Sequence, residues 1–569
     1  MALVAGAARR DMTFVAPELP MFGWGIVDNT TRGVGLRLYA RALVLGDAND
    51  TQRVALVLLD HSHTSPALRD EVVRILREEH PDCGVDEESL LLAATHTHSA
   101  PGGFSHHLYY NLRTPGWHPP LLAFLARVTV QTIVAAAEAA QPARWSWARG
   151  RFDHSAPVSF NRSVRAYNRN PEVQPVSWSE RDQAVDREMP ALWVRTPEGA
   201  PIACVNWFAC HCTSVHADNH HLHGDNKGVA ALHMERTVRA EGAADDFVAL
   251  FMPGASGDLS PNGRWCRKRK KMVGPHDDDF ASARLHGELQ SRVALRTSSA
   301  AVADDSGALD AALLYLDFRG FHVPARYGLG EARETCSAIV GVPFLEGTQE
   351  GPGPLLPLRG FMRQLSRIAW DVAGVMRPSH GAGHGGKLPF LETGEPGGGK
   401  SFHFFTARRP PLPSGVDEVI RAVRRYQSTG SIGPGPWTPN VVPVQVIRLG
   451  PVAIAALPTE PTLTAGRRVA RSVLEALADE GVEAVIPMGY ANSYAGYVVT
   501  PEEYVEQAYE GGSTYFGQWT LGAYQARFDE VCARLRTPRG ARDPSLGPAP
   551  YRFSVDELDG QQWVPPGAP

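Results

Sequence analysis

Short apolar runs alternate along this chain with segments of helical periodicity, and several runs end abruptly in polar residues. Arg53–Leu59 is one such run, and Leu90–Ala94 is followed after one residue by His96-Thr97-His98. A short continuous apolar run is typical of a buried strand, whereas apolar residues three and four apart are typical of a helix. Strands that alternate with helices predict an α/β fold. We expect one large domain with mixed β-sheets, flanked by helices and long ordered loops.

Composition narrows the class of protein. Of the 569 residues, 43% are hydrophobic and 21% are charged, as in an ordinary globular protein. The formal net charge of −5 gives no reason to expect a nucleic-acid partner. Seven cysteines are scattered without a Cys-x-x-Cys pair, so neither a disulfide framework nor a four-cysteine zinc site is predicted.

The two ends of the chain differ from its middle. The first ten residues lack the apolar core of a secretory signal, so the chain as given is predicted to be cytoplasmic, or secreted if a leader has been trimmed. No apolar run is expected to reach the length of a membrane span. We predict a main domain over residues 1–535, followed by a Pro/Gly-rich tail over residues 536–569.

Candidate ligands lie at or just after the carboxyl ends of the predicted strands. In α/β sheets these ends converge on one crevice, where ligands bind. Side chains two residues apart in a strand share a face, so one histidine of His96-Thr97-His98 can bind a metal while the other faces a substrate. As an isolated pair they could equally be hydrogen-bonded polar residues. Imidazole and carboxylate together suit zinc. The full set is Asp60, His96, His98, His211, Ser260, Glu460 and Tyr497.

Two of these positions have structural alternatives. Glu460 could cap the helix that begins near Leu463 instead of binding a metal. Cys210 and Cys212 flank His211, and a thiolate ligand has to be considered. Strand alternation directs both cysteines away from the face of His211, so we place them in the core.

Two further motifs lie outside this set. His216, His220, His221 and His223 form either a second metal site or a hydrated polar loop. Residues 394–401 match the phosphate-binding pattern G-x-x-x-x-G-K-S. That pattern needs a helix after it, whereas aromatic residues and two prolines follow here, so a flexible glycine turn is predicted. Residues 341–415 as a whole are Gly- and Pro-rich and are expected to form ordered loops.

Several longer motifs resemble the neutral/alkaline (non-lysosomal) ceramidase family. The resemblance runs from about Phe22 to Tyr524, in the family's order, and the motifs together are specific. They are Ala-Thr-His-Thr-His-Ser-Ala-Pro-Gly-Gly at 94–103, Asn-Arg-Ser at 161–163, Gly-Asp-Asn-Lys-Gly at 224–228, Gly-Asp-Leu-Ser-Pro-Asn at 257–262, and the stretch from Asn492 through Tyr497 and Glu502-Glu503-Tyr504 to Tyr509-Glu510-Gly511.

This resemblance implies a zinc amidase, with one zinc ion per chain, that cleaves the N-acyl bond of ceramide to give sphingosine and a fatty acid. The implied substrate is a lipid-like N-acyl amine. The family's four zinc ligands match His96, His211, Glu460 and Tyr497. The serine of its hexapeptide matches Ser260, and its residues that line the scissile amide match His98, Arg162 and Tyr509. Residues 1–535 then form the catalytic domain, and the tail is too short for the family's C-terminal immunoglobulin-like domain.

Two residues receive roles from chemical reasoning. Ser260 is interpreted as a hydroxyl that binds substrate rather than as a nucleophile, because a serine nucleophile needs an adjacent base and the sequence places none. A metal that activates water makes such a nucleophile unnecessary. Asp60 is expected to orient one of the ligand histidines.

Two other functions stay open at this point. The same zinc site could serve a biosynthetic enzyme that forms amides or transfers acyl groups, or a hydrolase of simpler N-acyl amines. Alternatively, the chain could be a non-catalytic lipid-binding homologue with a decayed site. The sequence also leaves open contact with a membrane surface and the oligomeric state.

Overall fold

Three mixed β-sheets follow one another along the chain, and each carries a pair of long helices. They are seen in a computed structural model that describes residues 2–353, 381–394 and 433–562, with gaps at 27, 51, 113, 115, 243–245, 300–301 and 305–307, and a few positions between 358 and 368.

The first sheet contains β1 (Leu3–Asp11), β2 (Tyr39–Asp47), β3 (Arg53–Leu59), β4 (Leu90–Ala94) and β5 (Gln141–Pro142), in the order β4-β3-β2-β1-β5. β3 and β4 are parallel, and the other neighbours are antiparallel. Helices α1 (Pro66–Glu79) and α2 (Pro119–Glu138) pack on one face. α1 begins at Ser65, whose side chain accepts a hydrogen bond from the Leu68 amide, with Pro66 at the first helical position.

The second sheet contains β6 (Arg144–Arg151), β7 (Glu188–Arg195), β8 (Pro201–Phe208), β9 (Val248–Pro253) and β10 (Val302–Asp304), in the order β9-β8-β7-β6-β10. β8 and β9 are its parallel pair. Helices α3 (Asp225–Ala240) and α4 (Asp279–Arg296) cover one face, where Met234 and Val293 join the buried cluster that contains Trp193.

The third sheet contains β11 (Leu309–Asp317), β12 (Val441–Leu449), β13 (Val452–Ala456) and β14 (Ala484–Met488), in that order. β12 and β13 form a hairpin that turns at Gly450, whose φ of +65° suits glycine. β13 and β14 are parallel. Helices α5 (Leu463–Ala476) and α6 (Thr520–Arg536) pack on this sheet, with Val469 and Phe528 in its core.

The remaining elements are short. Two-stranded pairs join Gly33–Val34 to His221–Leu222, Phe160–Asn161 to Leu259–Ser260, Arg264–Cys266 to Lys271–Val273, His322–Val323 to Arg333–Glu334, Ile339–Gly341 to Pro389–Glu392, and Glu460–Pro461 to Tyr497–Val498. Short α-helices are Leu108–Asn111, Val164–Tyr167, Gly381–His384, Pro501–Val505, Tyr509–Gly512 and Val555–Asp559. Single 3₁₀ turns are Pro81–Cys83, Trp178–Glu180, Val342–Glu346, Ala478–Glu480 and Arg539–Ala541.

One apolar core joins the three sheets. Leu91 from the first sheet, Trp207 and Leu250 from the second, and Ile454 and Met488 from the third belong to a single buried cluster. Each sheet also contributes one parallel pair, and parallel strands bring their carboxyl ends to the same edge. The predicted α/β fold with mixed sheets is confirmed.

Two sequence expectations have different outcomes here. The expectation that no segment reaches the length of a membrane span is wrong, since α2 is long and apolar enough by composition. In this protein 56% of its apolar window is buried, as in the core helix of a globular domain. The glycine-rich motif at 394–401 lies, apart from Gly394, outside the described residues.

A buried cluster of charged side chains links the first sheet to helix α3, which packs on the second sheet. Arg41 of β2 donates from Nη1 to Oδ2 of Asp60 at 2.9 Å and from Nε to Oε1 of Glu235 on α3 at 3.0 Å. All three side chains are almost fully inaccessible to solvent. Arg9 also pairs with Glu235.

Arg41→Met is therefore expected to lower the free energy of unfolding by about 3–5 kcal/mol, because it leaves Asp60 buried without its cation. Urea denaturation measures this loss. The matched control is Arg37→Met, since Arg37 pairs with Asp11 on the exposed surface and such pairs contribute little. Equal losses in the two variants would contradict a stabilising role for the buried cluster.

Candidate metal centre and active site

Each of two histidines is oriented by a backbone carbonyl that lies just after the neighbouring parallel strand. His96 follows β4, and its Nδ1 lies 2.5 Å from the carbonyl oxygen of Ser62, which follows β3. His211 follows β8, and its Nδ1 lies 2.7 Å from the carbonyl oxygen of Ser256, which follows β9. Because a carbonyl only accepts hydrogen bonds, each Nδ1 carries a proton and each Nε2 points away from the backbone.

The Nε2 atoms converge on one carboxylate. Nε2 of His96 lies 3.5 Å from Oε1 of Glu460, and Nε2 of His211 lies 3.1 Å from Oε2. Nε2 of His98 lies 3.1 Å from Nε2 of His96. The ligand atoms of the three histidines all fall within 4.8 Å of one another, and among the described residues no other His, Cys, Asp or Glu group does so.

Burial sets the charge of this cluster. It lowers the pKa of His96 to about 4 and that of His98 well below its usual value, so both imidazoles are neutral at pH 7. Burial alone would raise the pKa of Glu460, but the imidazoles of His96 and His211 and a hydrogen bond from Tyr494 bring it below the ordinary value. Neutral imidazoles around a carboxylate are the forms that bind a metal.

The unpaired atoms of the cluster fit a cation. Nε2 of His211 is buried and has no hydrogen-bond partner in the described structure, although it faces a carboxylate oxygen of Glu460. A buried polar atom without a hydrogen-bond partner is costly, and it is a candidate ligand atom for a metal. Imidazole nitrogens beside a carboxylate are a donor set that fits a divalent metal ion.

The segment 489–498 supplies the rest of the centre. Glu460 pairs with Tyr497 in a short parallel bridge, which brings the phenol to the carboxylate. Tyr490 donates to Oε2 of Glu460 at 3.2 Å, and Tyr494 donates to Oε1. Burial, with the nearby Glu460 charge, raises the pKa of Tyr497 well above its usual value. The alternative role of Glu460 as a helix cap is wrong, because Thr462 caps α5.

Arg162 links this centre to a second polar cluster. Its Nη2 donates to the Tyr497 hydroxyl at 3.1 Å, its Nε donates to Glu510 at 2.9 Å, and its Nη1 donates to Glu350 at 2.7 Å. With the Gly257 carbonyl, to which Nη2 also donates at 2.7 Å, four acceptors hold this buried side chain, so its direction is fixed. Glu350 also accepts a hydrogen bond from Ser260 Oγ at 2.5 Å.

The Glu350 carboxylate accepts hydrogen bonds from several side chains at once. Besides Arg162 and Ser260, it accepts hydrogen bonds from Thr213 at 3.1 Å and Asn262 at 2.7 Å. Burial by itself would raise its pKa, but Arg162 and these donors bring it below the usual value. Glu350 is thus a weak base beside Ser260.

An aromatic cavity opens onto the metal cluster. Its walls include His96, His98, Glu460, Met21, Phe22, Tyr109, Tyr110, Leu112, Phe344, Tyr494, Tyr497, Tyr509 and Tyr515. Tyr509 lies 5.4 Å from Tyr497 between ring centroids, and the guanidinium carbon of Arg162 lies 5.7 Å from the Tyr509 ring. Arg162 and Ser260 line a small separate pocket with Glu350. The structure therefore places most of the predicted residues on the cavity and connects Ser260 to them through Glu350.

Other predicted roles have mixed outcomes. The expected contact of Asp60 with a ligand histidine is wrong: its carboxylate accepts hydrogen bonds from Arg41 and from the Tyr39 amide. Backbone carbonyls take that role because the strand ends lie beside them. Cys210 and Cys212 are buried core thiols, as predicted, and burial raises the pKa of both.

The second metal site is not formed among the described residues. His216 pairs with Asp279 at 3.1 Å, His220 lies 3.0 Å from the Thr30 carbonyl oxygen, and His223 stacks on Phe280. His221 also contacts Phe280, and in the described part of the chain these four histidines form no cluster of ligand atoms.

Four functional residues escaped the sequence interpretation. Tyr494 and Glu510 lie within the family-like motifs and Tyr490 lies two residues before them, but only the fold shows which side chains face Glu460 and Arg162. Glu350 lies in a Gly/Pro-rich stretch without periodicity, where no sequence signal marks it.

Comparison with known proteins gives one consistent result. Residues 3–392 and 426–526 match the model of the "Neutral/alkaline non-lysosomal ceramidase, N-terminal" family. The neutral ceramidase of Pseudomonas aeruginosa is 32% identical over 545 residues, which cover 95% of this chain and 73% of the relative. The neutral ceramidase of Mycobacterium tuberculosis is 32% identical over 94% of this chain and 78% of the relative.

Solved structures agree with these relatives. A ceramidase complexed with C2 superposes with a TM-score of 0.75 at 30% identity, and covers 97% of this chain and 78% of that chain. The crystal structure of the neutral ceramidase from Pseudomonas aeruginosa superposes with a TM-score of 0.73 at 29% identity, over 96% of this chain and 77% of that chain.

His211→Ala is expected to abolish tight binding of a divalent metal, because it removes one of the imidazoles that face Glu460. Elemental analysis of purified protein measures the loss. His220→Ala is the control, since His220 contacts only a loop carbonyl in the described structure and should leave the metal content at the wild-type level. Equal metal content in all three proteins would refute the assignment of the cluster.

Glu460→Gln should lower metal affinity by orders of magnitude while the fold survives, because a neutral amide replaces the charged oxygen ligand. Thr462→Ala tests the cap separately and is expected to cost about 1 kcal/mol of stability with metal retained. Calorimetric metal titration and thermal unfolding separate the two effects. Near-normal metal affinity in Glu460→Gln would remove Glu460 from the ligand set.

Proposed function

Because the chain belongs to the neutral/alkaline non-lysosomal ceramidase family, we propose that it is a zinc-dependent amidohydrolase of ceramide or a ceramide-like N-acyl amine. The products are a free fatty acid and an amine such as sphingosine. One observation carries the proposal: a buried cluster of imidazoles and a carboxylate lies at the end of a cavity with aromatic and apolar walls. Such walls suit an acyl chain, and such a cluster suits a hydrolytic metal.

The residues that would hold one zinc ion are His96, His211, Glu460 and Tyr497, with His98 close enough to be a third imidazole. Zinc bound there would supply a Lewis acid that polarises an amide carbonyl and lowers the pKa of water. The approach of Nε2 of His211 to a carboxylate oxygen of Glu460 supports this assignment, since imidazole nitrogen and carboxylate oxygen are the ligand atoms that zinc takes in proteins.

The chain's own donors stabilise the reacting amide. Arg162 is held by Glu350 and Glu510, and its Nη2 points to the Tyr497 hydroxyl. His98 and Tyr509 on the cavity wall would bind the carbonyl oxygen and the negative charge that develops on it, and Arg162 would act on that oxygen through the Tyr497 hydroxyl. Donors that are fixed before the reaction contribute most to such stabilisation, because they need no reorganisation.

Ser260 is proposed to position the active site rather than to attack the amide. A serine nucleophile needs a base that can take its proton. The carboxylate beside Ser260 is that of Glu350, whose pKa is lowered by Arg162 and which already accepts hydrogen bonds from Thr213 and Asn262. The Ser260 hydroxyl instead helps to hold Glu350, and through it Arg162.

Ser260→Ala is expected to retain its zinc and lose at least about tenfold in kcat/KM, because Arg162 loses part of its support. Hydrolysis of N-acylsphingosine and metal analysis measure both quantities. The control is Ser99→Ala, which changes a buried hydroxyl that is hydrogen-bonded to Asn219 and not to Glu350. An acyl group trapped on Ser260 by mass spectrometry would overturn the positioning role.

Product analysis separates hydrolysis from the other functions considered. Release of free fatty acid from ceramide supports the amidase, whereas net formation of amide from fatty acid and amine would indicate an acyl-transfer enzyme. Binding without turnover would indicate a lipid-binding homologue. The oriented histidines and ionised Glu460 argue for an intact site.

A further inference from the structure

One loop lies between the cavity and residues 543–562 of the chain. We call the described residues 104–112, 114 and 116–118 the pocket loop. Four of its side chains, Tyr109, Tyr110, Leu112 and Thr114, line the cavity. On its other side, His106 packs edge-to-face against Trp117 with 4.8 Å between centroids. The pocket loop thus forms part of the cavity wall, and its position affects the width of the cavity.

Residues 543–562, which we call the C-terminal strap, cover the outer side of this wall. The ring of Phe553 lies edge-on to His107 at 5.0 Å and to His106 at 6.0 Å. The amide of Trp117 donates to the carbonyl of Gln561 at 2.8 Å. The strap therefore contacts both the beginning and the end of the pocket loop.

The strap is itself anchored to other parts of the fold. The carbonyl of Leu546 accepts a hydrogen bond from the Tyr315 amide of β11 at 2.7 Å. Glu557 accepts one from the Gly435 amide at 3.0 Å and forms a capping box with Ser554. Phe553 lies in the chain between these two anchors, at Leu546 and Glu557. The anchors therefore restrict the movement of Phe553 and of the pocket loop that it contacts.

The strap and the metal centre belong to different parts of the chain. The family match ends at residue 526, before the strap, whereas the ligands and Arg162 lie within it. The ligand histidines are held at strand ends, and the pocket loop reaches the centre indirectly, through the Tyr110 hydroxyl that donates to the Tyr494 carbonyl. A change in the strap can therefore alter the cavity wall without altering the metal centre.

We propose that the C-terminal strap sets which acyl chains the cavity accepts, with Phe553 as the positioning residue that acts through the pocket loop. This role rests on the proposed function, since it takes the cavity as the acyl-amide site. The pocket loop keeps attachments of its own: the Tyr110 hydroxyl donates to the Tyr494 carbonyl at 2.7 Å, the Tyr109 amide to the Trp437 carbonyl at 3.0 Å, and the Ser65 hydroxyl to the Phe104 carbonyl at 3.1 Å. Loss of the strap contact should loosen the loop locally and leave the domain folded.

The test compares Phe553→Ala with wild type. Hydrogen exchange of the amides in the pocket loop should rise about tenfold, since the Trp117 amide loses a stable partner. With palmitoyl-sphingosine, KM should change at least about threefold relative to acetyl-sphingosine, while kcat for the acetyl substrate and the zinc content stay at wild-type values. Phe553→Tyr keeps the ring and should restore both readouts.

Val555→Ala is the matched control. Val555 lies two residues further along the strap and is 72% exposed, so its truncation should change neither readout. Glu557→Ala removes the anchor at Gly435 and should reproduce the effect of Phe553→Ala. It takes the place of that variant if Phe553→Ala proves unfolded by circular dichroism.

The outcomes distinguish a failure of the proposed role of the strap from a failure of the proposed amidase function. Unchanged exchange in the pocket loop, or increased exchange with an unchanged ratio of the two KM values, would overturn the role of the strap while the amidase stands. A wild-type protein that hydrolyses no N-acyl amine would overturn the proposed function, and the specificity role with it.

Discussion

The centre depends on two hydrogen bonds from histidine side chains to backbone carbonyls. Ser62 holds Nδ1 of His96, and Ser256 holds Nδ1 of His211. In both cases the carbonyl follows the strand that is parallel to the one before the histidine. Parallel pairing brings two strand ends to one edge, so a histidine and its orienting carbonyl arise from the same local geometry. Glu460 and Tyr497 follow the parallel strands β13 and β14 of the third sheet and pair with each other in a short parallel bridge.

Packing of the three sheets turns these separate edges into one site. The cluster with Leu91, Trp207 and Ile454 draws the three parallel pairs together. It also removes water from the centre, which keeps the imidazoles neutral. Glu460 stays ionised because the imidazoles and a tyrosine offset the cost of its burial. The hydrophobic core therefore supports the chemistry as well as the fold.

Glu350 holds the side chains of Arg162 and Ser260 in place, as the backbone carbonyls do for the two histidines. A single carboxylate accepts hydrogen bonds from Arg162, Ser260, Asn262 and Thr213, which come from three distant parts of the chain. Its negative charge holds the guanidinium in place, and the four donors reduce its basicity. The serine of the hexapeptide is thus explained as part of a hydrogen-bond network.

The sequence by itself determined the α/β class and the strands that end at His96, His211 and Glu460, because periodicity and apolar runs are local properties. The resemblance of its motifs to a known family added the zinc ligands and the amidase chemistry. Only the tertiary structure decided that Thr462 and not Glu460 caps α5, that carbonyls and not Asp60 orient the histidines, and that Glu350 joins Arg162 to Ser260. These contacts join residues up to 188 positions apart, as between Arg162 and Glu350. No local pattern records such a distance, since it is set by how the three sheets pack.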